Sequence, residues 1–201
     1  MTRNTRLIAT LALGLACGQS DAGDTDATDA TATTTAAPTS SGGDTGATTG
    51  DDPLSHAPVC SSGVYWTKGN LESPLMHPGA ACLACHKTQE PEIAGRLAIA
   101  GTVYPTGHEP DDCYGADDAD QPIVVEITTA DDRVVQLAVG PSGNFLYDLE
   151  EQGDAIAFPI TARVRQGDRV RAMASPQATG DCNSCHTQDG VAGAPGRIVA
   201  P

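Results

Sequence analysis

Short runs of alternating apolar and polar residues dominate the second half of the chain. In residues 161–165 and 169–173, arginines alternate with apolar side chains. This alternation predicts that one face of each run is exposed to solvent and the other packs against the core. Other short runs are rich in β-branched residues and are separated by turns of Gly, Asp and Pro. Together they predict strands over residues 93–104, 123–128, 134–139, 144–149, 156–166 and 169–174. Short strands without a long helical pattern between them predict a mainly β fold, with a small β-sandwich over residues 93–175.

Two irregular segments flank the predicted sandwich, residues 53–92 and 176–201. Gly and Pro occur throughout the first of them, and the prolines prevent any long helix. We expect only one or two helical turns there, over residues 80–87.

Residues 1–16 have the features of an export signal. Arg3 and Arg6 give a charged start, and residues 7–16 form an apolar run with small residues at its end. That run is too short to span a bilayer as a mature helix. The pattern predicts that the protein is exported.

Cys17 follows the apolar run directly. Residues 13–17 resemble the lipobox of bacterial lipoproteins, although Gly14 stands where the usual pattern has Leu. The resemblance implies that Cys17 becomes the lipidated first residue, and because Gly18 is not Asp, an outer-membrane destination is open. The alternative is an ordinary signal peptide that is cleaved near Ala22.

Residues 17–52 comprise Cys17 and a segment of Asp, Thr, Ala, Gly and Ser. Seven Asp and no Lys or Arg occur in residues 19–52, so this segment is predicted to be a disordered tether. The whole chain has a formal charge of −15, which makes nucleic acid an implausible partner. An acidic surface favours basic partners, including basic redox proteins. The alternative is that the acidity only keeps the protein soluble.

Two pentapeptides carry the candidate chemistry, and each reads Cys-x-x-Cys-His. They occupy residues 82–86 and 182–186. Two thiols at this spacing can form thioethers with the two vinyl groups of one porphyrin, and the next residue then lies under the iron. One zinc ion shared by both pairs is disfavoured, because 96 residues separate Cys85 from Cys182, whereas zinc sites usually have a gap of about fifteen to twenty. Each pair could also form a disulfide or act as a redox pair.

The motifs resemble those of c-type cytochromes. The resemblance implies two covalently bound haem c groups, each with a proximal histidine. The implied covalent anchors are Cys82, Cys85, Cys182 and Cys185. The implied iron ligands are His86 and His186.

The sixth position of each iron has several candidates. Met76 and Met173 each lie upstream of a motif and are favoured, because a thioether stabilises Fe(II) relative to a second imidazole. His77 comes next, and an open site on one haem after that. Because Pro78 favours an extended backbone before it, only one of Met76 and His77 should face a given haem. Arg197 either pairs with a haem propionate or lies on the surface.

Cys60 and Cys113 are not needed by the motifs. Disulfides persist outside the cytoplasm, so a disulfide between these two residues is the simplest use for them. The alternative is two buried thiols.

Residues 100–104, 124–127 and 143–145 resemble, in this order, the carboxypeptidase-regulatory-like (transthyretin-like) sandwich. In that family a Gly-x-Val strand leads, a hairpin follows and Gly-x-Phe closes the next turn. The resemblance covers residues 93–174 and implies a small immunoglobulin-like or transthyretin-like β-sandwich with irregular haem-bearing flanks. Such modules are often binding or spacer units without catalysis, so they imply a scaffold and not a reaction. The flanking motifs are expected to meet at an edge or end of the sandwich.

The sequence therefore predicts an exported, lipid-anchored dihaem c-type cytochrome that transfers electrons in the periplasm or at the outer membrane. Its predicted partners are basic-surfaced redox proteins and, through the lipid, a membrane. It is predicted not to be an enzyme, since no Gly-x-Ser-x-Gly, P-loop, His-Glu-x-x-His or nucleotide fingerprint occurs. A dihaem peroxidase is a weaker hypothesis. Two further hypotheses are a haem-based small-ligand binding or sensor lipoprotein and a non-haem structural surface lipoprotein.

Overall fold

The structure is a computed structural model that describes residues 52–201. The predicted signal peptide, Cys17 and nearly all of the predicted tether lie outside the described residues. Within residues 52–201, no helix is both long enough and apolar enough to span a bilayer.

Two β-sheets form the body of the protein. The strands are β1 (Leu97–Tyr104), β2 (Ile123–Thr128), β3 (Val134–Ala138), β4 (Asn144–Asp148), β5 (Thr161–Gln166), β6 (Arg169–Ala172) and β7 (Ile198–Val199). One sheet has the order β4-β1-β7 and the other the order β3-β2-β5-β6. The pairing is antiparallel except between β1 and β7. The predicted mainly β sandwich is confirmed.

The helices of the described residues are short. They are α1 (Cys82–Gln89), α2 (Pro91–Ala94) and α3 (Leu149–Gln152), with 3-10 turns at Pro53–Ser55 and Cys182–Ser184. α1 confirms the helical turns predicted over residues 80–87.

The core lies between the two sheets, and residues of most strands build it. All four residues of β6 are exposed, so the packed face predicted for this strand is wrong. β1 contributes Ile99 and Val103, while β2 contributes Ile123, Val125 and Ile127, and all five are buried. The opposite face of β1 is buried as well, because Ala100, Thr102 and Tyr104 are covered by the irregular flanks. This second buried face is what connects the sandwich to the motifs.

Several strand boundaries differ from the prediction, each for a local reason. β1 begins at Leu97 and not at residue 93, because Pro91 opens a helical turn that holds Ile93. β4 ends at Asp148, whose side chain caps α3 by accepting a hydrogen bond from Glu150 N. β5 begins at Thr161, after Pro159, which has no N–H to donate to a ladder.

β7 has no counterpart among the predicted strands. Its two residues pair with Val103 and Tyr104 of β1, so the C-terminal segment completes one sheet. The boundary predicted at residue 175 therefore does not separate the sandwich from an independent tail.

The disulfide predicted between Cys60 and Cys113 is present. Its sulfurs are 2.05 Å apart, its Cα atoms are 5.6 Å apart, and the residues are 53 positions apart in sequence. It attaches the irregular segment that precedes the first motif to the loop that follows β1.

Replacing both Cys60 and Cys113 by Ser should lower the free energy of unfolding by about 2–4 kcal/mol, because the unfolded chain loses a closed loop. Urea denaturation of the variant and the wild type would measure the difference. Reduced wild type should unfold like the variant. Labelling of either cysteine by a thiol reagent in unfolded, unreduced wild type would contradict the pairing.

Candidate functional site

The second motif is hydrogen-bonded along one edge of β1. Ala100 N donates to Gly180 O at 2.9 Å, and Thr102 N donates to the side-chain Oδ1 of Asn183 at 3.0 Å. The amide of Asn183, which lies inside the motif, thus occupies the place of a neighbouring strand. The second motif is therefore fixed to the sheet by hydrogen bonds with β1.

Gly101 lets the motif approach β1 closely. A Cβ at this position would lie 2.9 Å from Cys182 Cβ and 2.7 Å from the Phe145 ring. A larger residue would therefore displace the cysteine from the strand.

The two motifs contact each other directly, as expected from their positions on either side of the sandwich. Asp181 Oδ2 accepts a hydrogen bond from Ala84 N at 2.9 Å, and Asn183 Nδ2 donates to Ala80 O at 2.9 Å. Asp181 precedes Cys182, so the start of the second motif is fixed to the first turn of α1.

A cavity of about 420 Å³ opens beside the second motif. Cys182, Cys185 and His186 all line it, together with Met173 and the apolar side chain of Phe145. Its volume lies within the range of small-molecule and cofactor sites, about 300–1,000 Å³. The cavity therefore brings together a complete set of predicted haem-binding residues: both anchors, the proximal histidine and one candidate sixth ligand.

His186 is oriented as a metal-ligating histidine usually is. Its Nδ1 lies 2.9 Å from Gly196 O, so Nδ1–H donates to the carbonyl and Nε2 keeps its lone pair. Burial lowers the pKa of His186, which favours the neutral imidazole that metals bind. Gly196 has φ +147°, and a Cβ there would lie 2.3 Å from Gly107 O, so glycine is required to place this carbonyl.

His86 of the first motif has a related arrangement. Its Nδ1 lies 3.2 Å from Glu90 Oε2, one turn further along α1. The two atoms are in contact but lack the alignment of a hydrogen bond. The carboxylate faces Nδ1, which leaves Nε2 as the nitrogen available to a metal.

The first cysteine of each motif, Cys82 and Cys182, is half-buried. Burial, with a smaller contribution from the charge of Asp181, raises the pKa of Cys82 to about 12 and that of Cys182 to about 12. Both thiols are therefore neutral at physiological pH, as suits residues that would become uncharged thioethers.

The zinc hypothesis gains no support from the geometry. Among residues 52–201, only Cys60, Glu109 and Cys113 bring three possible ligand atoms within 4.8 Å of one another. The two cysteines of that group form the disulfide, so their sulfurs are not thiolate ligands.

His77 is already engaged by the protein. Its Nδ1 lies 2.9 Å from Asp112 Oδ1 and its Nε2 lies 3.2 Å from Asn70 Oδ1. Its φ of +42° shows that the extended backbone expected before Pro78 is wrong. With both ring nitrogens occupied, His77 is a poor candidate for an iron ligand. Met76, its half-buried neighbour, remains the sequence-predicted candidate for the first iron.

His108 is also engaged at both ring nitrogens. Nδ1 lies 2.7 Å from Gln188 O, and Nε2 lies 3.0 Å from Leu54 O. Through these two contacts it links the segment before the first motif to the segment after the second.

Arg197 is buried, with 2% of its surface exposed, so a surface location is wrong. Nε donates to Glu109 O at 2.8 Å, while one terminal nitrogen donates to Gly79 O at 3.1 Å and the other to Asp111 Oδ1 at 2.5 Å. The guanidinium also stacks on the Tyr104 ring, 5.1 Å from its centroid. These contacts join the segment before the first motif to the segment after the second.

Asp181, Asn183 and Gly196 are parts of the site that the sequence does not identify. A partial signal is present for two of them: Asp181 directly precedes a motif, and Asn183 is a polar residue inside one, where the first motif has Leu83. Nothing in the sequence points to the Gly196 carbonyl.

Comparisons with family models, curated proteins and solved structures found no match to this chain.

Proposed function

We propose that the protein is an exported dihaem c-type cytochrome that carries electrons in the periplasm or at the outer membrane. The observation that supports this most strongly is the cavity shared by Cys182, Cys185, His186 and Met173. Cys182, Cys185 and His186 are the reactive positions of one motif, and Met173 directly follows β6 in the chain. A purely structural surface protein has no need for this combination.

The roles of the residues follow from their chemistry. Cys82 and Cys85 anchor one haem, and Cys182 and Cys185 anchor the other. His86 and His186 would bind the irons through Nε2; the Gly196 carbonyl fixes the ring orientation of His186, and the Glu90 carboxylate lies beside Nδ1 of His86. The haem supplies one-electron chemistry when bound, and the protein controls its access and potential. The proposed role is electron carriage and not catalysis.

Export, lipid attachment at Cys17 and basic redox partners complete the proposal. The formal charge of −15 favours partners of opposite charge. These parts rest on the sequence.

A haem that binds a small ligand is the second candidate. It is favoured at the first motif, where both nitrogens of His77 are engaged by Asp112 and Asn70. If Met76 does not bind the first iron, that iron has an open position. A high-spin signal from one of the two haems would identify this function.

The mature protein, made in a host that attaches haem to exported proteins, should carry two covalent haems. Intact mass and the pyridine haemochrome spectrum should give two haems per chain for wild type, because both motifs are complete. Replacing Cys182 and Cys185 by Ser should leave one haem, and replacing Cys82 and Cys85 by Ser should do the same.

The intact mass of the wild type should also include the lipid on Cys17. Cys17→Ser should release the protein to the soluble periplasmic fraction.

The matched control replaces Cys60 and Cys113 by Ser, which also removes two sulfurs but should keep both haems. A wild-type mass without any haem would falsify the proposed function and favour the non-haem lipoprotein. A soluble wild type that begins after Cys17 would remove the anchor while leaving the cytochrome proposal in place.

A further inference from the structure

Asp181 is a buried carboxylate placed at the junction of the two motifs. Only 6% of its surface is exposed. Oδ2 accepts a hydrogen bond from Ala84 N at 2.9 Å, whereas Oδ1 is buried and accepts no hydrogen bond. The residue also lines the cavity of the second motif. It is therefore adjacent to both haem-attachment sequences.

The charge of Asp181 is balanced by backbone and not by a cation. None of the ion pairs among residues 52–201 includes it. It faces the first turn of α1, an eight-residue helix whose N-terminus carries a partial positive charge. Burial raises the pKa of Asp181, and hydrogen bonds from the backbone of residues 82–84 oppose that effect.

The field of this carboxylate reaches both motifs. Burial is the main cause that raises the pKa of Cys82 and of Cys182, and the negative charge of Asp181 is the next. These thiols are the titratable groups that face it from α1 and from the second motif, and both are neutral at physiological pH. Because Asp181 directly precedes Cys182 and accepts a hydrogen bond from Ala84 N inside the first motif, a haem attached to either motif would lie near this carboxylate.

We propose that Asp181 is a positioning residue that fixes the two motifs together and lowers the reduction potentials of both haems with one shared charge. This inference rests on the proposed function. Reduction adds one electron to Fe(III) and gives Fe(II), with no bond formed or broken and no proton transferred. Because the oxidised haem carries one more positive charge, a nearby carboxylate stabilises the oxidised form.

Asp181→Asn removes the negative charge but keeps the hydrogen bond with Ala84 N, which caps the first turn of α1. The amide oxygen of Asn can still accept this hydrogen bond. With an effective dielectric of about 20, losing one charge should shift each reduction equilibrium toward Fe(II) about tenfold. A tenfold change corresponds to about 59 mV for one electron. Spectroelectrochemical titration of both haems measures this shift.

Two further variants make the test specific. Asp168→Asn removes one exposed charge from the turn between β5 and β6, and should leave both potentials within about twofold of wild type in equilibrium constant because exposed charges are screened. Asp181→Ala removes cap and charge, so it should raise both potentials like the Asn variant and also lower the urea midpoint. Only the Ala variant should lose stability.

The outcomes separate the inference from the proposed function. Wild-type potentials in Asp181→Asn, with a destabilised Asp181→Ala, would show that the residue is only a cap and would overturn the inference alone. A shift confined to one haem would overturn the shared role. Wild type without covalent haem would overturn the proposed function and this inference with it.

Discussion

Replacing Arg197 by Met should lower the free energy of unfolding by about 3–5 kcal/mol. The side chain is fully buried, and its partner Asp111 is 72% exposed. Asp111 can therefore return to water when the arginine is lost, so the ion pair accounts for little of the cost. The larger cost comes from the carbonyls of Gly79 and Glu109, which accept from the guanidinium and would remain buried without a donor.

Arg197→Lys should recover only part of the loss. A lysine ammonium cannot reproduce the planar fork that reaches several acceptors at once, nor the stacking on Tyr104. Arg171→Met is the matched control, because Arg171 is exposed and surface substitutions usually change stability by less than about 0.5 kcal/mol. Urea denaturation of the three variants and wild type would give the values. Equal stabilities for Arg197→Met and Arg171→Met would show that Arg197 does not join the two flanks.

The sequence predicts the sandwich because its strands carry their own local signals. β5 alternates Arg with apolar residues, and this alternation decides that Val164 faces the core while Arg163 is exposed. β6 has the same alternation, but as an edge strand it is exposed on both faces. β7 has only two residues, and no pattern of that length is distinguishable from a loop. Its pairing depends on where β1 lies, which is a tertiary contact that local sequence does not encode.

The predictable part of the site is the part with fixed spacing. The thiols and histidines of each motif are identifiable because haem attachment requires five consecutive positions. The contact between the motifs is made by Asp181 and Asn183 across about a hundred residues, and its partners include backbone atoms that any sequence would offer. For the same reason, the engagement of His77 by Asp112 and Asn70 could not be anticipated.

Met173 is the residue most easily misassigned from sequence, because a methionine at the end of a strand is equally suited to the core. In the structure it follows β6 directly, and its backbone N donates to Ala162 O at 2.9 Å, so it continues the ladder for one more residue. It lines the cavity together with His186. This position supports Met173 over His77 as a sixth ligand.

Met173→Ala should remove the contribution of the second haem to the weak Met-to-iron absorption band near the red edge of the oxidised spectrum. The thioether of Met173 is a soft donor that favours Fe(II), and the substitution removes it. The potential of the affected haem should therefore fall, and the iron should become high-spin or take up an exogenous imidazole. Met76→Ala is the matched control: it removes a half-buried methionine near the first motif and should leave the band of the second haem intact. A wild-type spectrum without the band, with signals of two imidazole ligands instead, would exclude Met173. A band that disappears only in Met76→Ala would assign the methionine to the first iron and leave the cavity of His186 without the sixth ligand inferred for it.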